Sequence, residues 1–220
     1  MDVSSLDIIL IAFQIIALLI AVIGHEVMHG LVALRYGDES ARREGRLTIN
    51  PLPHIDLFGS IIIPLTLIVM GSPIMFGYAK PVPVNIDTVR DNGGYKACMF
   101  VSLAGIFYNF FLAFCCVVIL KLGLNFNLID IQSLILQFLF ILLYINIVLG
   151  VFNLIPIPPL DGSKALAYLG LMFNNSTFAS LYNKFENYGM IIIILLLLFP
   201  LTRDAIFNVM QITIMMFLTI

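Results

Sequence analysis

Charged residues are scarce in this chain, and tryptophan is absent. Only 11% of the 220 residues are Asp, Glu, Lys or Arg, whereas soluble domains have about 25%. Hydrophobic residues make up 61% of the sequence, and the mean hydropathy is +1.06. This composition excludes an ordinary soluble domain, and a net charge of −2 gives no reason to expect a nucleic-acid partner. We therefore expect an integral membrane protein.

Cysteine and histidine are also rare, with three of each. Cys98, Cys115 and Cys116 lie in one apolar stretch, and two of them are adjacent. An odd number with this spacing does not indicate a disulfide framework, so we expect small buried hydrophobic residues. The histidines are distributed differently, because two of the three lie within one apolar segment near the start of the chain.

Long apolar segments predict the fold class. A bilayer-spanning helix needs about 20 apolar residues, so we predict an all-α polytopic membrane protein with about five transmembrane helices. Segment 57–75 is short and contains glycine and proline, and we predict that it is re-entrant. The stretch FGYAKPVPVN, residues 76–85, is predicted to add a short β-hairpin, and residues 163–173 a short interfacial helix. The apolar segments cover about residues 6–34, 57–75, 97–122, 131–155, 187–201 and 204–220.

The sequence LIAVIGHEVMHGLVAL, residues 19–34, places ionisable side chains inside the first apolar segment. Such groups are costly in hydrocarbon, so they indicate a functional site. His25 and His29 are four residues apart and share one face of a helix. Two imidazoles at this spacing can bind a zinc ion, and Glu26 can act as base on a zinc-bound water. Two unrelated helix histidines are the alternative, but three histidines in 220 residues rarely form this pattern by chance.

A third metal ligand has to come from outside the first helix, because catalytic zinc usually has three protein ligands and one open position. The candidates are His54, Asp56 and Asp161. We favour Asp161, which lies in the sequence NLIPIPPLDG. Pro156 and Pro158 end the preceding helix and leave this aspartate on a turn at membrane depth, where a carboxylate needs a partner. Without the histidine pair, a surface-loop aspartate would be the default interpretation.

HEVMH in the first apolar segment, SLAGIFYNFFLA at 102–113 and NLIPIPPLDG at 153–162 follow one another along the chain. Together they resemble the site-2 protease family of intramembrane zinc metalloproteases, whose N-x-x-P-x-P-x-L-D-G pattern the third motif matches at every fixed position. NPLPHID and FGYAKPVPVN resemble the compact bacterial branch that lacks a PDZ domain. The resemblance covers about residues 19–165, and Ile106 departs from it where relatives commonly have proline.

The resemblance implies His25, His29 and Asp161 as ligands of one Zn²⁺ ion and Glu26 as the catalytic base. It also implies hydrolysis of single-span membrane proteins within the bilayer, as in regulated intramembrane proteolysis, so a single-span substrate and the lipid bilayer are the expected partners. Homo-oligomerisation stays open. One alternative is a metal transporter, which would not need Glu26. Another is an inactive relative that binds membrane helices, which would have no reason to keep all four residues.

Three further polar residues have more than one interpretation. His54 could line the active site and stabilise the tetrahedral intermediate, act as a substitute ligand, or bond to loop backbone. Asn153 could donate to the oxyanion or to carbonyl groups freed near the prolines. Asn109 is expected to form hydrogen bonds between helices.

Charge distribution predicts how this domain is oriented in the cell membrane. We predict one membrane-embedded metalloprotease domain over residues 1–220, with a core at 6–165 and C-terminal helices at 179–220. The HEVMH motif and Asp161 each lie near the C-terminal end of a helix, so an even number of crossings must separate them. Nine of the eleven Lys and Arg residues then share one side, and only Lys121 and Arg203 face the other. The positive-inside rule places the larger group in the cytoplasm and the N-terminus outside.

Overall fold

A computed structural model of the chain describes residues 5–56, 59, 62, 66, 79–126, 128, 130 and 133–219. These residues are mostly helical. Single 3-10 turns occur at Leu52–His54 and Glu186–Tyr188. The α-helices are α1 (Ser5–Arg35), α2 (Ser40–Arg43), α3 (Ile86–Asn125), α4 (Leu134–Leu154), α5 (Asp161–Met172), α6 (Thr177–Phe185), α7 (Gly189–Leu198) and α8 (Pro200–Thr219). The α3 helix is kinked at Gly94, where the backbone is not helical.

Five segments of the described chain are long and apolar enough to cross a membrane, which confirms the predicted all-α fold with about five spans. One of them joins α6, the second 3-10 turn and α7 into 22 residues, starting close to the predicted position 179. The predicted short helix at 163–173 is α5, which begins two residues earlier. The five segments are Ile8–Arg35, Ile86–Asn125, Leu134–Leu154, Thr177–Leu198 and Pro200–Thr219.

The predicted short β-hairpin is not supported. The described residues contain no β-strand, and residues 79–85, the described part of FGYAKPVPVN, have no regular secondary structure. Pro81 and Pro83 have no backbone N–H to donate to a neighbouring strand. The N–H of Val82, which lies between them, donates to the Glu26 carboxylate at 2.9 Å. The segment therefore bonds to a side chain of α1 where strand pairing was expected.

The predicted re-entrant segment, residues 57–75, lies outside the described residues except for positions 59, 62 and 66. The described segments before and after it contact each other. The N–H of Asn85 donates to the Asp38 carboxylate at 2.6 Å, and the Asn92 amide donates to the carbonyl of Tyr36 at 2.9 Å. The C-terminal end of α1 and the N-terminal end of α3 therefore lie at the same end of the bundle.

Local sequence accounts for where the central helices begin and end. The Asn85 side chain caps α3 by accepting the N–H of Thr88 at 3.2 Å, and Ser133 caps α4 by accepting the N–H of Leu136 at 3.2 Å. Such caps satisfy backbone donors that have no partner within the helix. The α4 helix ends at Leu154, since the proline at position 156 cannot continue it.

The α3 helix is central and packs against α1, α4 and α5. Small residues are buried along α1 and α3, among them Ala21, Ala33, Ala97 and Ala104. In a membrane, small residues stabilise helix pairs by letting the backbones approach closely. A second buried core lies between α1, α3, α4 and α8 and includes larger side chains. The buried members of this core are Ala17, Ala113, Cys116, Val117, Leu120, Leu139, Leu142, Leu143, Ile147, Val151 and Met210.

The contact between the ends of α1 and α3 makes a topological prediction. Cysteines introduced at Glu39 and Asp91, which are both exposed, should react with a membrane-impermeant maleimide from the same side of the membrane. A cysteine at Asn125, at the opposite end of α3, should react from the other side. The measurement is labelling in sealed vesicles of known orientation.

The parent protein supplies the background for this labelling, because Cys98 and Cys116 are buried and Cys115 is only partly exposed. Reaction of the Glu39→Cys and Asp91→Cys proteins from opposite sides would contradict the described packing of α1 on α3.

Candidate metal centre

Two helices bring together three side chains of the kinds that bind metal ions. His25 and His29 lie one turn apart on α1, and Asp161 is the first residue of α5. The Oδ2 atom of Asp161 lies 3.0 Å from His25 Nε2 and 3.2 Å from His29 Nε2. The two Nε2 atoms are 3.1 Å apart. All three side chains are 8–11% exposed, so the three donor atoms form a small buried triangle.

The other nitrogen of each imidazole fixes its tautomer. His25 Nδ1 donates to the side-chain oxygen of Asn109 at 2.7 Å, and His29 Nδ1 donates to the carbonyl of Val101 at 2.6 Å. Since a neutral imidazole has one N–H, both Nε2 atoms then present lone pairs to each other and to the carboxylate. Three electron-rich atoms this close together require a shared proton or a metal cation between them.

The size of the triangle fits zinc. Zinc bonds to histidine nitrogen and carboxylate oxygen are about 2.0–2.2 Å long, so two ligand atoms of a tetrahedral site lie roughly 3.3 Å apart. The three observed distances, 3.0–3.2 Å, are close to this value. Two imidazoles and one carboxylate are a ligand set of the kind found in catalytic zinc sites, where the fourth position stays open. The residues present therefore fit one zinc ion.

The Asp161 carboxylate is held in its ionised form. Burial raises the pKa of this carboxyl, but a proton shared with the two imidazoles in the metal-free site and the nearby positive charge of Lys164 outweigh burial, so the pKa lies well below its usual range. Lys164 Nζ lies 3.3 Å from Oδ1. The lysine thus pairs with one carboxylate oxygen, while the other faces the histidines.

Two glycines of the sequence motifs permit this geometry. A Cβ atom on Gly105, in the SLAG sequence of α3, would lie 2.5 Å from the His25 ring. A Cβ atom on Gly162, directly after the aspartate, would collide with the backbone carbonyl of Leu154. The first glycine lets α3 pass close beside the imidazole, and the second lets the start of α5 fold back onto the end of α4.

Glu26 lies beside the donor triangle but is not part of it. Together with His29 and Asp161 it lines a cavity of about 570 Å³. The 81–84 segment forms one wall, and Val82 donates its N–H to Glu26 Oε2 at 2.9 Å. Side chains from α5, α6 and the following turn form another wall, among them Tyr168, Tyr182 and Glu186. A carboxylate beside the donor triangle, facing a cavity, is what a hydrolytic zinc site requires.

The structure holds the other sequence candidates elsewhere. Among the described residues, only His25, His29 and Asp161 form a group of donor atoms within 4.8 Å of one another. His54 donates its Nε2–H to the carbonyl of Thr48 at 3.0 Å. The Asn153 amide donates to the carbonyl of Leu149, one turn earlier on α4, at 3.1 Å. Asp56, the remaining sequence candidate for a ligand, accepts the N–H of Gly59 at 2.7 Å through its side chain.

Several contacts at the site were not predicted from the sequence. Asn109 was expected only to join helices, yet it bonds to His25 as well as to Asn146. The roles of Lys164 and Val82 next to the site were not predicted. The sequence contained one signal of these contacts: an asparagine lies in the middle of each of two apolar helices, where a polar group needs a partner.

Known proteins resemble this chain over most of its length. The family model of peptidase family M50 matches residues 126–200. The chain is 34% identical over 198 residues to "Putative zinc metalloprotease YwhC" of Bacillus subtilis (strain 168), which covers 87% of this chain and 83% of that protein. It is 30% identical over 177 residues to "Putative zinc metalloprotease Rip2" of Mycolicibacterium smegmatis (strain ATCC 700084 / mc(2)155), covering 80% and 62% respectively. No solved structure matches the chain significantly.

Because the similarity to YwhC covers 87% of this chain, it necessarily includes α3 and the proline-broken turn before Asp161. On this similarity the chain belongs to peptidase family M50, the site-2 protease family of zinc metalloproteases.

Proposed function

We propose that this protein is a zinc-dependent intramembrane endopeptidase that uses one Zn²⁺ ion to hydrolyse peptide bonds of single-span membrane proteins. The observation that carries the proposal is the buried triangle of His25, His29 and Asp161 with Glu26 beside it. Membership of a metalloprotease family supports the reaction type. The presence of both histidines within an apolar helix of spanning length supports a reaction inside the bilayer.

Each side chain has a chemical role in this proposal. When bound, zinc supplies the Lewis acidity that makes water a nucleophile near neutral pH. His25, His29 and Asp161 would hold the ion. Glu26 would take the proton of the attacking water and pass it to the leaving amine. Since the N–H of Val82 donates to one oxygen of the Glu26 carboxylate, it would orient the base while the second oxygen accepts a hydrogen bond from the attacking water.

The orientation we propose places the cavity towards the cytoplasm. The histidines lie towards the C-terminal end of α1, which shares one end of the bundle with the start of α3. The sequence pattern assigns nine of the eleven basic residues to this end, and the positive-inside rule favours the cytoplasm for it. Water would reach the site through the cavity, because hydrocarbon does not supply it.

The position of Glu26 favours hydrolysis over metal transport. A transporter needs ligands that accept and release an ion, and a carboxylate outside the ligand set contributes nothing to that task. In a hydrolase the same carboxylate is the base. The two functions therefore predict different outcomes for its replacement.

Replacement of Glu26 by glutamine should abolish cleavage and keep the metal. We expect a fall in kcat of about a hundredfold to ten-thousandfold, which is the usual contribution of a general base, with one zinc per chain retained. His29→Ala and Asp161→Asn should lose zinc as well as activity. The measurements are elemental analysis of the purified protein and mass mapping of products from a membrane-spanning helical peptide in detergent.

Glu39→Gln is the matched control, because Glu39 is an exposed residue that pairs with Arg43 away from the triangle. Chelation should stop cleavage by the wild type, and added zinc should restore it. Near-normal cleavage by the Glu26→Gln protein would refute the proposed mechanism. Zinc flux into liposomes without peptide cleavage would instead support a transporter.

For His54 we propose the role of a loop anchor. It is 2% exposed, its Nε2–H donates to the carbonyl of Thr48, and its own carbonyl accepts the N–H of Lys80 at 2.9 Å. These bonds tie the 48–54 loop to the segment that forms one wall of the cavity. We propose this role in preference to transition-state stabilisation or metal binding.

Replacement of His54 by alanine tests the choice. We expect a lower melting temperature, since about 1 kcal/mol is lost with a typical hydrogen bond, while zinc content, kcat and KM stay close to wild type. Thermal unfolding in detergent and steady-state kinetics are the measurements. A lower kcat with unchanged KM and zinc would show that His54 stabilises the transition state, and lost zinc would show that it is a ligand.

A further inference from the structure

Two asparagines are fully buried inside the helix bundle. Asn109 on α3 and Asn146 on α4 are both 0% exposed. The Asn109 amide nitrogen donates to the Asn146 side-chain oxygen at 2.9 Å and to the carbonyl of Ala21 at 3.2 Å. The Asn146 amide nitrogen donates to the carbonyl of Leu142 at 2.8 Å. The remaining polar atom, Asn109 Oδ1, faces His25 Nδ1 at 2.7 Å.

Backbone carbonyls fix the direction of this chain of hydrogen bonds. Because the Leu142 carbonyl can only accept, Asn146 must turn its NH₂ group towards it and its oxygen towards Asn109. Because the Ala21 carbonyl and that oxygen can only accept, Asn109 must turn its own NH₂ group to them. Its oxygen then faces the imidazole, and His25 Nδ1 has to be the donor. Reversing either amide would bring two donors or two acceptors face to face.

We propose that Asn109 is a positioning residue of the metal centre and that Asn146 supports it. The two residues, named here the asparagine pair, hold His25 as the Nδ1–H tautomer and leave Nε2 unprotonated for the metal. This inference rests on the proposed zinc site. Outer-shell partners of metal-binding histidines typically change metal affinity about 10- to 100-fold when they are removed.

The two histidines differ in where this support comes from. His29 donates to a backbone carbonyl, that of Val101, which no side-chain substitution removes. His25 donates to a side chain. The affinity of the site should therefore depend on residue 109 through His25 alone.

A purely structural role for Asn109, joining α3 to α1 and α4, is the competing explanation, and two substitutions separate the two. Asn109→Asp keeps an acceptor for His25 Nδ1–H but loses both N–H donors to the neighbouring helices. Asn109→Leu loses the acceptor and the donors. Helix packing is weakened by both variants, whereas the support of His25 is lost only in the second.

The test is a zinc-affinity titration against a chromophoric chelator in detergent, together with thermal unfolding of the metal-free proteins. We expect Asn109→Leu to bind zinc about 10- to 100-fold more weakly than wild type. Asn109→Asp should bind zinc nearly as well as wild type although its melting temperature falls. Asn146→Leu should lie between wild type and Asn109→Leu.

Cys116→Ala is the matched control for instability. Cys116 is buried in the α3–α4 core, so its truncation should lower the melting temperature and leave zinc affinity unchanged. If Asn109→Leu binds zinc as tightly as wild type while unfolding at a lower temperature, Asn109 only joins helices and the inference is wrong. If wild type binds no zinc, the proposed function fails, and the inference fails with it.

A measurement on the wild type covers the case in which the variants do not fold. With only three histidines in the chain, ¹⁵N labelling of histidine gives a simple spectrum, which His29→Gln and His54→Gln proteins would assign. We expect Nδ1 of His25 to carry a proton in the metal-free protein, because the asparagine pair fixes this tautomer before zinc binds. An unprotonated Nδ1 would overturn the inference.

Discussion

The pairing of one buried carboxylate with two imidazoles is the constraint on which the rest of this structure depends. A charged group inside a helix bundle is tolerated only where partners compensate for lost hydration, and here the partners lie on different helices. Asp161 has to reach α1 from the start of α5, so α4 must end where it does. The α3 helix has to pass beside the His25 ring, so a glycine stands at position 105. Much of the packing around α3 follows from these two requirements.

Most of the features that the sequence predicted correctly are local ones. Spanning helices follow from the lengths of the apolar segments, and five were found. Helical periodicity places His25 and His29 on one face, which needs no knowledge of the rest of the fold. The turn before Asp161 is encoded by prolines that cannot continue α4. That these three side chains share one metal was an inference from chemistry, because a buried carboxylate needs a cation, and it stays a prediction; the structure places their donor atoms within 4.8 Å of one another.

The features that the sequence did not predict depend on contacts between distant segments. Proline and valine alternate in residues 81–84, which favours an extended backbone but does not say what the chain pairs with. The β-hairpin was expected for that reason, whereas the N–H of Val82 instead reaches the carboxylate of Glu26 on α1. The role of Asn109 was hidden in the same way. An asparagine in an apolar helix indicates that it has a partner, but only the fold shows that this partner is His25 of the donor triangle.

The three donor groups are supported by three different kinds of partner. His29 is held by a backbone carbonyl, His25 by a side-chain amide and Asp161 by the ammonium group of Lys164. A backbone partner moves only if the helix moves, so His29 is the most rigidly determined of the three. The other two supports lie on side chains of α3 and α5, which can change without altering a ligand. In the proposed zinc site, affinity would therefore depend on two residues outside the donor triangle, Asn109 and Lys164, while the backbone partner of His29 stays fixed.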